Sequence, residues 1–415
     1  MAAQRPDTRQ LLGRLSAFGA AISLFTALKA PPCAAFSYNA YNSAATGTSR
    51  EVGLGGSDLA LPGGYAATFI NPAGLGSRVT TSDIDFGSDS NVTDDFVVDI
   101  NNPSSRAYAL PNKYSYTGFR YIAKSGWGLG AVISQPLAYN DTFLDLTGNR
   151  KVNGFQDSFS NADQVNLTSR KYTIAAGRNA FDGRISFGAS LDLNRFTEKF
   201  DLFSTSLATP TAHVSSTRQT WSANIGLLAR PWPWLQVGAL YKGRYRIPFD
   251  ASLNSQLPNG IRWFREAKYP DVFSLGAVWL PRDWLHVFAQ SNYVRGISDS
   301  VVPGSALFPA TFSARVADTQ KSTLDFHWGG ECIPIDEPDL TIKLWIGGYL
   351  ENTGVGSGYS RYHRTAGLQL SPWFVDFTMS VDQASLYKNF TVGAGVDLLQ
   401  VSKRVATFFD WKLPL

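Results

Sequence analysis

From residue 106 onward the chain repeats one unit: about ten residues whose apolar and polar side chains alternate, followed by a turn. In WLQVGALYKGRYRI, Leu235, Val237, Ala239, Tyr241, Gly243, Tyr245 and Ile247 share one face. Gln236, Gly238, Leu240, Lys242, Arg244 and Arg246 share the other. FVDFTMSV sets Val375, Phe377, Met379 and Val381 against Asp376, Thr378 and Ser380. LTIKLWIGGYL sets Leu340, Ile342, Leu344 and Ile346 against Thr341, Lys343 and Trp345. A period of two belongs to strands, because successive Cβ atoms leave opposite faces of a pleated chain. The protein is therefore expected to be all-β.

The connections alternate as regularly as the strands. AKSG (123–126), NAFDG (179–183), RPWP (230–233), PRD (281–283), PIDEPD (334–339) and SP (371–372) are short and carry the Gly, Pro, Asn or Asp that turns need. Between them lie long polar stretches such as 140–164, 250–270 and 296–320. A soluble β-sandwich also alternates apolar and polar faces, but it has no reason to sort its connections into a short set and a long set. A transmembrane barrel does, with short periplasmic turns and long external loops. Strands of about ten residues match a tilted membrane crossing. Trp127, Trp232, Trp234, Trp279, Trp284 and Trp373 recur near strand ends, where interfacial girdles lie. An Arg or Lys facing lipid at the midplane costs roughly 2–4 kcal/mol, so Lys242, Arg244 and Arg246 must face inward or lie near an interface.

Counting gives about fourteen antiparallel strands, one near 80–86 and the rest from Arg106 through Leu399. RVATFFDWKLPL (404–415) also alternates and would make fifteen, whereas single-chain bacterial barrels have even counts. Either one strand is misassigned or this end is a tail outside the wall; the count of fourteen is kept.

The first 35 residues are expected to be a cleaved export signal. Arg5, Arg9 and Arg14 precede the apolar run LSAFGAAISLFTAL, and APPCAA ends in small residues. Its removal takes four basic residues and one acid, leaving a net charge near +1 instead of +4. Charge thus gives no argument for a nucleic-acid partner. Cys332 is then the single cysteine, so no intrachain disulfide is available to an exported chain. No run of about 18 apolar residues follows the leader, which argues against helical membrane spans.

Between leader and first strand, residues 36–79 are rich in Ala, Gly, Ser and Asn, yet include Leu59, Leu61, Tyr65, Phe69, Ile70 and Leu75. So many apolar groups suit a buried plug better than a solvated tail. Within this segment, ATFINPAGLGS resembles the N-terminal hatch motif of the FadL/TodX outer-membrane transporters of long-chain fatty acids and other hydrophobic compounds. The resemblance continues through ALPNKYSYTGFRYIAKSGWGLGAVISQPLAY (109–139), similar to that family's second and third strands, and later stretches match in rhythm. It implies a bacterial outer-membrane barrel of 14 strands (residues 80–415) plugged by an N-terminal hatch (36–79), working as a monomer. It also implies passive uptake of a hydrophobic small molecule, with Asn71, Pro72 and Ala73 in the hatch element that shifts. The ligand would leave sideways through the wall at the third strand into outer-membrane lipid. Pro136 lies in that strand, and a proline has no N–H for the ladder, so it is the candidate for the lateral opening; the other reading is that it marks the strand's end at the external rim.

Phe143, Leu144, Leu146, Phe155, Phe159 and Phe203 make the external loops apolar and are candidates for ligand capture. Two other readings use the same fold: a non-transporting scaffold of a secretion or surface-attachment system, and a general porin. An enzyme is not expected. His213, His286, His327 and His363 have no metal-ligand spacing, GVGSG (354–358) lacks the strand-to-helix context of a nucleophile elbow, and no cofactor motif is present.

Overall fold

The computed structural model describes residues 47–76, 82–99, 106–108, 112–143, 149–152, 155–158, 162–203, 212–248, 266–298, 319–320, 322–352, 360–372, 375–385, 390–391 and 397–414. The expected leader (1–35) lies outside them, as do the two ends of the expected hatch, 36–46 and 77–79.

Fourteen strands form the wall: β1 (Asp83–Asp99), β2 (Asn112–Ile122), β3 (Trp127–Phe143), β4 (Ala162–Ala180), β5 (Ile185–Phe203), β6 (Ala212–Trp232) and β7 (Leu235–Lys242). They continue as β8 (Val272–Arg282), β9 (Leu285–Val294), β10 (Thr323–Glu337), β11 (Leu340–Asn352), β12 (Ser360–Pro372), β13 (Val375–Ser385) and β14 (Asp397–Pro414). Each pairs antiparallel with its neighbours, and β14 pairs with both β13 and β1, from Asp83↔Pro414 to Asp99↔Leu398. That pairing returns the sheet to its first strand. The C-terminal stretch from 404 is therefore part of the wall and not a tail, and Asp397–Leu399, counted as the end of the preceding strand, belong to the same strand β14. Residues 390–391 form only a short pairing with the start of β14.

At one end the strands are joined by tight connections. Gly126 donates to Ala123 O at 2.8 Å and takes φ +83°, a value that only glycine adopts without strain. At the other end short two-stranded ribbons occupy the long connections: Asn149–Val152 with Phe155–Ser158, and Tyr245–Pro248 with Glu266–Tyr269. Wall strands run from 8 to 21 residues, and the longer ones exceed what a membrane crossing needs.

Burial is inverted relative to a water-soluble protein. Ile174 is 61% and Leu275 65% exposed, whereas Asp192 and Asn194 are 1% and 2% exposed. Along β5, Phe187 and Leu191 point out while Ser186, Ser190, Asp192 and Asn194 point in. Trp127, Phe181, Trp232, Trp234 and Trp279 are exposed beside the tight turns, as an aromatic girdle would be. The inward polar groups satisfy one another: Asp192 accepts from Thr173 Oγ1 at 2.7 Å and Asn224 Nδ2 at 2.8 Å and pairs with Lys171 at 2.8 Å. Lys242 also points inward and lines the lumen.

Candidate functional site: the lumen, its plug and an interrupted ladder

Residues 47–76 cross the inside of the barrel as short helical turns: α1 (Ser49–Gly53), the 3-10 turns Asp58–Ala60, Gly64–Ala66 and Pro72–Gly76, and α2 (Ala67–Ile70). Thr48 caps α1 by accepting from Glu51 N. Small residues and glycines keep these turns thin, and their apolar side chains are buried against the wall. Leu54 and Leu75 are completely inaccessible, Leu59, Tyr65 and Ile70 nearly so, while Leu61 and Phe69 remain half-buried.

Asn71, Pro72 and Ala73 are all buried. Asn71 Nδ2 donates to Leu59 O at 3.2 Å and to Leu227 O at 3.3 Å, and its Oδ1 accepts from Ala73 N at 3.2 Å. The side chain thereby shapes the turn that leads into the 3-10 helix, whose first residue is the proline with its pre-set φ. This motif lies on glycines of the wall. Gly128 pairs with Gly177, Gly177 with Gly188, and Gly188 with Gly226, a level row across β3, β4, β5 and β6. A Cβ at Gly177 would stand 2.6 Å from Pro72 O and 2.7 Å from Gly76 N. A Cβ at Gly188 would run into the Pro72–Ala73 peptide, and one at Gly226 into Asn71 Oδ1. From sequence these glycines carry no assigned role; the signal that marks them is their place in the middle of strand patterns, where glycine indicates a close backbone approach.

Charged side chains hold the opposite side of the plug. Arg50 reaches Glu331 Oε2 at 3.3 Å, Asp58 Oδ2 at 3.2 Å and Leu61 O at 2.9 Å. Glu331 also contacts His286 Nδ1 at 2.8 Å and accepts from Trp345 Nε1 at 2.8 Å. Ser49 donates through N and Oγ to Asp89 Oδ1, and Tyr65 donates to Asp89 Oδ2. Burial, reinforced by the Asp58 carboxylate, pushes Glu51 up to about 8; burial likewise lifts Asp58 to about 6 against the pull of Arg50. His327, Tyr349 and His363 stack in sequence, and His363 Nδ1 lies 3.0 Å from Asp382. Beside the plug a cavity of about 200 Å³ is lined by Lys171, Asp192, Asn224, Leu240, Lys242 and Val272 among others.

Pro136 interrupts the wall without ending its strand. The β2–β3 ladder runs from Ile122↔Gly128 to Ser115↔Gln135 and stops there, although β3 continues to Phe143 on its β4 side. Between Ser134↔Lys171 and Leu137↔Ser169, Gln135 and Pro136 face only Arg170, a two-against-one bulge. Beyond it, Asn112, Lys113 and Tyr114 of β2 pair only with β1 among the described residues. Just inside the last paired residues, Tyr65, Tyr116 and Val132 form a buried cluster with Phe69, whose ring stacks on Tyr116 at 5.2 Å.

The capture candidates are only partly described. Leu144, Leu146 and Phe159 lie outside the described residues. Phe143, Phe155 and Phe203 lie in strands, because pairing such as Phe143↔Asp163 carries the wall and its ribbons into the long connections.

No family model matches the sequence, and no curated protein matches it. Solved structures do. A Pseudomonas aeruginosa FadL homologue superposes with TM-score 0.57 at 12% identity, covering 89% of this chain and 98% of that one. The Pseudomonas putida toluene transporter TodX gives 0.55 at 16%, covering 88% and 97%. The Ralstonia pickettii toluene transporter TbuX gives 0.57 at 16%, covering 88% and 98%. At such identities the likeness concerns architecture, and on that ground this chain has the fold of the FadL/TodX transporters.

Proposed function

We propose that this protein is a non-enzymatic outer-membrane channel for passive uptake of hydrophobic compounds. Its cargo would be of the class that includes long-chain fatty acids and the toluene carried by TodX and TbuX. Cargo enters from the external side, the plug shifts around Asn71-Pro72-Ala73, and cargo leaves through the wall between β2 and β3 at Pro136. The observation that carries this reading is the coincidence of two features. The ladder stops at Gln135, and the apolar cluster of Tyr65, Phe69, Tyr116 and Val132 lies directly behind the stop. An apolar solute needs such a path, since a polar lumen gives it no favourable surface.

Deleting Pro136 removes the residue that makes two face one, so that Leu137 can follow Gln135 in register opposite Tyr114. The sealed variant is expected to take up radiolabelled toluene and oleate at least tenfold more slowly, with the barrel still folded by its mobility shift on heating. Uptake at the wild-type rate from a folded, sealed barrel would overturn the lateral route. The polar lining of Lys171, Lys242, Asp192 and Asn224 favours a second reading, a porin for small polar solutes. Planar-bilayer recordings separate the two: a porin conducts strongly, a plugged channel does not.

A further inference from the structure

We propose that the plug is built in two parts, and that only the second, residues 65–76, moves during transport, turning about Pro62–Gly64 while residues 47–61 stay fixed to the wall. This deepens the uptake reading above and rests on it.

The two parts are attached by different chemistry. Every charged residue between 47 and 76, namely Arg50, Glu51 and Asp58, is in the first part. There Arg50 joins Asp58 to Glu331, Ser49 makes two bonds to Asp89, and Gly53 O accepts from Thr365 at 3.0 Å. Gly55 O lies 2.7 Å from His327 Nδ1, Leu59 N donates to Gln290 at 3.2 Å, and Ala60 O accepts from Gln236. Hydrogen bonds to ionised groups are roughly twice as strong as neutral ones, and removing one partner of a buried ion pair is strongly unfavourable. The first part is therefore expensive to lift.

The second part's side-chain bonds to the wall among the described residues include Tyr65 to Asp89, Asn71 to Leu227 O, and Ser186 to Gly76 O, and none of them involves a charged side chain of the arm. Apart from the contacts of Tyr65 and Phe69 with Tyr116 and Val132 and the packing of Ala67 and Leu75 on Ala175, its backbone from Asn71 to Gly76 rests on the glycine row of β3 to β6. A backbone lying on glycines can slide without a rotamer change in the wall. The join suits a pivot. Leu61 O is braced by Arg50, whereas Pro62 and Gly63 have no backbone hydrogen bond to the wall among the described residues. Gly64 takes φ +50°, a region glycine enters freely. The arm carries Tyr65, next to the pivot, and Phe69, which pack on Tyr116 and Val132 at the inner side of the interrupted β2–β3 ladder.

Two matched cross-links test the division in the full-length protein in outer-membrane vesicles, with Cys332→Ala as background. A Cβ at Gly130 lies 3.1 Å from Thr68 Cβ, and one at Gly276 lies 3.2 Å from Leu59 Cβ, close enough for disulfides after a small adjustment. Oxidised Thr68→Cys/Gly130→Cys is expected to cut uptake of radiolabelled toluene at least tenfold, with recovery on reduction. Oxidised Leu59→Cys/Gly276→Cys is expected to stay within twofold of wild type. If both block uptake, the plug moves as one body and the division is wrong, while gating stands. If neither blocks it, gating by the plug itself fails. Blocking by the Leu59 pair alone also overturns the proposal. A second measurement needs no disulfide: Asn71→Ala is expected to raise toluene entry several-fold and Thr365→Val to leave it unchanged, and the opposite order would refute the division.

Discussion

Replacing Gly177 by alanine tests whether the seat of the plug controls permeability. Gly177 is in the middle of β4, paired with Gly128 and Gly188, and its inward side touches the plug backbone. The new methyl carbon would lie 2.6 Å from Pro72 O, where ordinary contact begins near 3.4 Å, so the plug must retreat by about 0.8 Å. The wall gains, because alanine is the better strand residue by a fraction of a kcal/mol. The plug loses, because an added methylene in a tight contact costs about 1–3 kcal/mol. That shifts the ratio of seated to unseated plug by roughly 5- to 150-fold. Toluene uptake and planar-bilayer conductance should both rise, with the unfolding temperature of the barrel unchanged. Gly276→Ala, which meets Leu59 side-chain atoms at 3.2 and 3.4 Å and Ala289 O at an ordinary 3.5 Å, should show a much smaller effect. Unchanged uptake and conductance in Gly177→Ala would refute the reasoning. So would a less stable barrel that does not leak, since the segment would then be a fixed part of the core.

Two other outcomes follow from the same geometry. Leu275→Arg puts a cation on the exposed outward face of β8 and should destabilise the folded barrel by roughly 2–4 kcal/mol, measured by denaturant titration in detergent or lipid; a neutral result would place Leu275 away from lipid. Glu51 has a value near 8 in the folded protein, above its ordinary 4.5. The stability it contributes is therefore fully present below about 4.5 and lost as pH rises through about 8. The unfolding temperature should fall across that interval, Glu51→Gln should flatten the fall, and an identical profile in the variant would remove Glu51 from the account.

The wall was legible because its signals are local. Period-two alternation and turn residues every ten to twenty positions specify strands and hairpins with no knowledge of what lies across the barrel. The closing strand was harder, since the stretches around 388–399 and 404–415 both alternate and only pairing with β1 decides between them. The plug's anchors were not legible at all. Arg50 and Glu331 are 281 residues apart, and nothing in either neighbourhood announces the other. Pro136 was legible as either a defect in the ladder or the end of the strand, because a proline without N–H fits both, and the continuation of β3 to Phe143 decides for the defect. Which side of the strand it would open was not legible, as this depends on β4 accommodating the bulge and β2 failing to follow.

A polar lumen and an apolar cargo look incompatible until the route is shortened. The inward groups of β4 to β6 are tied to one another by Lys171, Thr173, Asp192, Asn194, Ser222 and Asn224. Such a network braces neighbouring strands, and it offers little to a hydrocarbon. Cargo that crossed the whole lumen would have to displace those bonds. Cargo leaving by the proposed β2–β3 route would pass Tyr65, Phe69, Tyr116 and Val132 on its way to lipid. On the proposed route, lateral exit and a polar interior would thus be parts of one design. The polar network can stay intact because the proposed path does not run through it, and the plug's neutral arm is the one element that must yield. Replacing Val132 with Asp would put a charge on that short path. Toluene uptake should fall at least tenfold while bilayer conductance to ions stays low, and unimpaired uptake would mean that cargo takes the long polar route after all.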